Sequence, residues 1–71
     1  MNNEPLVRRW HKDILEAAVA ALGRDLSAAE QTFVTSRAGF IALEMIEDTV
    51  HALASQPSEL ARYLNSENTG R

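Results

Sequence analysis

Four residues in the middle of the chain have the types and spacing that could hold a metal ion. Glu44, Glu47, Asp48 and His51 stand three or four positions apart, so on a helix they share one face. Bundles that bind two metal ions use a Glu from each of two helices and a Glu-x-x-His pair from each of two others. Asp48-x-x-His51 is a shortened form of that pair, and two copies of the chain would make a metal-binding helical-bundle enzyme of it. The residues upstream argue otherwise. In hairpin register they set Arg8, Arg9 and Lys12 against the strip, and no carboxylate. Ion pairs that hold two helices in register account for the strip, and no metal or other cofactor is expected.

The remaining chemistry is thin. His11 lies between Trp10 and Lys12 with no hydroxyl, thiol or second acid at a useful spacing, so it reads as a half-exposed surface histidine. There is no Cys, which removes disulfides, thiolate metal sites and thiol nucleophiles. No catalytic residue is assigned, and the chain is expected not to be an enzyme.

Trp10 with Arg8, Arg9 and Lys12 is a second constellation. Trp and Arg are enriched where proteins bind one another, so the four could form a partner-binding patch. Trp10 also shares an apolar arc with Val7 and Ile14, which favours a place in the core or in a dimer interface.

A third is Ala20-Ala21-Leu22-Gly23 followed by a short turn and a new helix, the outline of a helix-turn-helix. A DNA-binding transcriptional regulator would then read DNA with the helix that starts near Ser27. The first three turns of that helix carry Arg37 as their only cation, beside Glu30, too little to neutralise several phosphates. The net charge of −3 adds no general attraction to nucleic acid. A nucleic-acid partner is disfavoured.

The elements that must position these residues are helical. Pro5 suits a first turn, with Asn2 or Asn3 as cap, and the first helix runs to about Leu22. Its apolar face includes Leu6, Val7, Trp10, Ile14, Ala18 and Leu22. Gly23 is placed for a left-handed C-terminal cap. Ser27 and Glu30 form the Ser-x-x-Glu capping box of the next helix.

That second helix is predicted to run unbroken from Ala28 to about Ser55, overhanging the first. At ~100° per residue it carries two apolar stripes. Phe40, Leu43, Ile46, Val50 and Leu53 form one, assigned to the first helix. Val34, Ala38, Ile41, Met45 and Ala52 form the other, assigned to a dimer interface. Gly39 inside this helix suggests close packing or a bend. Gln56-Pro57 ends it, and a short third helix follows at about 58–65, with Leu60, Ala61, Tyr63 and Leu64 on its apolar side. This third helix is expected to fold over the overhanging end of the second.

With 71 residues this is one small domain, near the lower limit of what folds without a staple or a partner copy. The expected fold is all-α: an antiparallel helical hairpin plus a short third helix, dimerising into a four-helix bundle. Residues 1–65 make the domain and 66–71 a flexible C-terminal tail. Met1 to Pro5 shows no signal-peptide pattern and no run reaches the ~18 apolar residues of a membrane span. A soluble cytoplasmic chain with no membrane partner is expected. The expected function is that of a small regulatory or adaptor protein, a homodimer that binds a further, unidentified protein.

Overall fold

In the computed structural model, which describes residues 4–66, the chain forms four helices and no strand among the described residues. They are α1 (Glu4–Leu22), α2 (Ala28–Thr35), α3 (Phe40–Ala52) and α4 (Pro57–Leu64). α1 is the spine. α2, α3 and α4 all pack on it, and α4 packs on α2 as well.

The punctuation follows local chemistry. Gly23 has φ +73°, and its N–H bonds the Val19 carbonyl at 2.8 Å, closing α1 in the left-handed conformation that costs glycine least. At the start of α2 the capping box is complete. Glu30 N donates to Ser27 Oγ at 3.2 Å and Ser27 N donates to Glu30 Oε1 at 2.8 Å. Pro57 sits in the first turn of α4, where a missing N–H costs nothing.

The long second helix expected from the sequence is instead two helices, separated by residues 36–39. The reason is burial. A straight helix turns its two apolar stripes to different sides, and a single 19-residue partner can cover only one. The break reorients α3 relative to α2. Phe33 and Val34 of α2 and Leu43, Ile46 and Val50 of α3 then enter the same core. Ile14, Ala18, Leu26, Leu60 and Leu64 complete it.

Local groups hold the break. Gly39 caps α3 with extended backbone, φ −73° and ψ 140°. The Arg37 side chain folds back over α2, where Nη1 donates to the Phe33 carbonyl at 2.7 Å. Its guanidinium lies 4.3 Å from the centre of the Phe33 ring. A cation at a helix C-terminus also meets the negative end of the helix dipole.

α4 takes a different place from the expected one. It docks on α1 and α2, with Tyr63 edge-on to Phe33 at 5.0 Å between ring centres. Leu60 and Leu64 are fully buried. Because α2 ends at Thr35 and turns, there is no overhanging rod for α4 to cover. The cap offered by Asn2 or Asn3 and the tail from residue 67 onward lie outside the described residues. No helix of the described residues is long and apolar enough to cross a membrane.

Candidate interaction surface

The acidic strip keeps its helical register on α3 but does not converge. Glu44, Asp48 and His51 are exposed, and Glu47 is half-buried against α1. Among the described residues no three His, Asp or Glu side chains are grouped to share a metal ion.

The basic residues of α1 do not meet the strip as expected. Arg8 pairs with Glu4 one turn earlier on α1, at 2.9 Å. An exposed pair of that kind contributes ~0–1 kcal/mol. Arg9 and Lys12 are exposed. The link from α1 to the strip is Trp10, whose Nε1–H donates to Glu47 Oε1 at 3.3 Å. Its ring rests against Phe40 at 5.6 Å. The indole thus adds a polar contact to the α1–α3 seam, whose buried side chains are Ile14 and Ala18 of α1 and Leu43, Ile46 and Val50 of α3. Of the residues assigned to a partner patch, Arg8, Arg9 and Lys12 point outward while Trp10 is turned partly into the α1–α3 seam.

His11 is half-buried and bridges elements. Its Nε2–H donates to the Arg37 carbonyl, since a carbonyl can only accept. This bond ties α1 to the segment between α2 and α3.

Among the described residues the one buried charge is Glu30, 2% exposed. Its two oxygens receive four hydrogen bonds. Arg24 Nη1 and Ser27 N reach Oε1, and Arg24 Nη2 and Asn65 Nδ2 reach Oε2, at 2.8–2.9 Å. Hydrogen bonds from Arg24 do most to hold this carboxyl at about 2, well below the ordinary value of 4.5. Burial pushes the other way and is outweighed; the Ser27 and Asn65 bonds add to the lowering. With both oxygens saturated, Glu30 has no lone pair left for a substrate proton or a metal. It joins α2 to the end of α4 and to the turn after α1. The capping box marked Glu30 in the sequence. Arg24 six positions before it was a further signal, but Asn65 was not legible.

The surface feature that stands out is apolar. Ile41 is 77% exposed and Met45 62% exposed on the outward side of α3, one turn apart. Ala38 and Ala52 are also exposed. Val34, grouped with these four in the sequence, is 0% exposed and belongs to the monomer core, so it is not available to a second subunit. Phe40 and Leu6, which the periodicity assigns inward, are exposed as well, and Phe40 lines the same groove as Ile41. An open groove of about 500 Å³ begins at Ile41 and runs past Phe40, Gly39 and Ala38 to Val7. Contiguous apolar surface of this kind marks sites of association far more often than scattered single side chains do. Comparison with family models, curated proteins and solved structures gives no match for this chain.

Proposed function

We propose that this protein works by binding protein rather than by catalysis, as a homodimer that covers the outward side of α3, in a regulatory or adaptor role. The observation that carries the reading is the exposure of Ile41 and Met45, with Phe40 alongside Ile41 in one groove. Water contact with large apolar side chains is unfavourable by ~25 cal/mol per Å², so covering them favours a partner. The small side chains of Ala38 and Ala52 on the same side permit close approach of a second helix. Glu30, the most buried ionisable group among the described residues, has its hydrogen-bonding capacity consumed by structure, which leaves association as the better-supported role.

The test is sedimentation equilibrium at micromolar concentration, with wild type and Ile41→Glu compared. A wild-type mass of twice 7.9 kDa that falls to 7.9 kDa in the variant supports the reading. A wild type that stays monomeric throughout overturns it.

A further inference from the structure

We propose that residues 36–39 are a hinge: straightening them joins α2 and α3 into one helix and lets two copies of the chain exchange their α3–α4 arms. The inference rests on the homodimer proposed above and names how its second copy engages.

The topology permits the exchange at little cost. The main contacts of α3 are with α1, and those of α4 are with α1 and α2. An arm consisting of α3 and α4 therefore docks almost wholly on the α1–α2 half. A partner's arm would make the same contacts there, including the Phe33–Tyr63 ring contact and the Asn65–Glu30 bond. Exchange of an element between identical copies through a short connection is a low-cost route to a dimer, because the native contacts are remade across chains.

The hinge is built to open. Among the described residues the one positive φ belongs to Gly23, so nothing at 36–39 is committed to a left-handed turn. Ser36 already has helical backbone, φ −77° and ψ −9°. Gly39 is not there for close approach, since an added Cβ would meet nothing within 4 Å. The polar contacts at the bend include the His11 bond to the Arg37 carbonyl and the Arg37 side-chain bonds to the Phe33 carbonyl and Ser36 Oγ, which opening would have to break. They also include the Ser36 N–H bond to the Thr32 carbonyl, which a continuous helix keeps. The apolar pattern supplies the gain. At ~100° per residue a continuous helix brings Ala38, Ile41 and Met45 onto one stripe. Two such helices crossing near the hinge would cover the side chains that the closed monomer leaves in water.

Two substitutions at one position test the proposal. Gly39→Ala favours the straight helix, because alanine is the better helix former and the poorer N-cap. A dimer gains this preference twice, so its dissociation constant is expected to fall roughly twentyfold. Gly39→Pro fits the closed form, whose φ of −73° is a proline value, and blocks a continuous helix. It is expected to leave a folded monomer. The second measurement is an isotope-filtered NOE on labelled and unlabelled chains refolded together. Exchange makes the Phe33–Tyr63 contact cross between chains, and this readout decides the matter even if Gly39→Pro does not fold. A dimer that Ile41→Glu dissociates, but that neither Gly39 variant shifts and whose Phe33–Tyr63 NOE stays within one chain, overturns the hinge and keeps the surface dimer. A chain that remains monomeric as wild type and as Gly39→Ala overturns both.

Discussion

The Asn65 side chain at the end of α4 donates to Glu30 Oε2 at the start of α2, 2.9 Å away across 35 positions of sequence. The same amide nitrogen donates its other hydrogen to the Ala61 carbonyl at 2.7 Å. Both partners are acceptors, so the nitrogen must be the atom that faces them. One side chain thus closes α4 and fastens it to α2, while Arg24 approaches the same carboxylate from the turn after α1. Three helices converge on a single buried charge.

That charge makes stability depend on pH in a defined direction. The Glu30 carboxyl titrates at about 2 in the folded chain against an ordinary 4.5. A lowered value means that the folded state favours the ionised form. The resulting stability is present above the unfolded value and is lost as pH falls from 4.5 through 2. Its size is on the order of 3 kcal/mol. Thermal melts followed by circular dichroism should show Tm falling steeply over this range. Glu30→Gln should be less stable at neutral pH and should flatten the acid limb; an unchanged slope in that variant would assign the dependence elsewhere.

Asn65 offers a sharper test of the same junction, because aspartate has its shape and the opposite hydrogen-bonding character. Asn65→Ala removes two donated bonds and is expected to cost about 1–2 kcal/mol in urea unfolding. Asn65→Asp places an anion beside the Glu30 carboxylate and the Ala61 carbonyl, and should cost more than the alanine change despite its closer shape. The reverse order would mean that Asn65 acts by filling space.

Gly23 carries a conformational cost that no contact reveals. Its φ is +73°, and an added Cβ would meet no atom within 4 Å. Gly23→Ala should therefore destabilise by about 1–2 kcal/mol through the left-handed backbone alone. Gly23→Asn should lose less, since asparagine tolerates that region better. Equal losses for the two would point to crowding instead.

What the sequence made legible was what is decided within a few residues. Ser27 and Glu30 announce a helix start because each satisfies the other's backbone across one turn. Gly23 and Pro57 announce ends, and the spacing of Leu43, Ile46 and Val50 announces a buried face. The break at 36–39 was not legible, although Gly39 hinted at a bend. Local preference there is weak, and the outcome is decided by which side chains α1 and α4 can bury. The Glu30–Asn65 bond was hidden for the same reason, since neither residue signals the other until both helices are placed. The exposed face is half legible: the spacing marks Ile41 and Met45 as surplus apolar surface, whereas Val34 leaves that group because the helix bends.

Val34 and Ile41 therefore make the most direct test of where the bend divides the apolar surface. On an unbroken helix in the monomer they would share a stripe and respond alike in dilute solution. In the bent chain Val34 is fully buried and Ile41 is 77% exposed. Val34→Ala should cost about 2 kcal/mol, as lost transfer energy plus a cavity, with the same effect at all protein concentrations. Ile41→Ala should change the unfolding free energy of dilute monomer by no more than about 0.5 kcal/mol. Its effect should grow with concentration, because it weakens association rather than folding. Urea titrations at low and high protein concentration separate the two cases. A large loss in dilute solution for Ile41→Ala, matching that of Val34→Ala, would overturn the bend in the monomer.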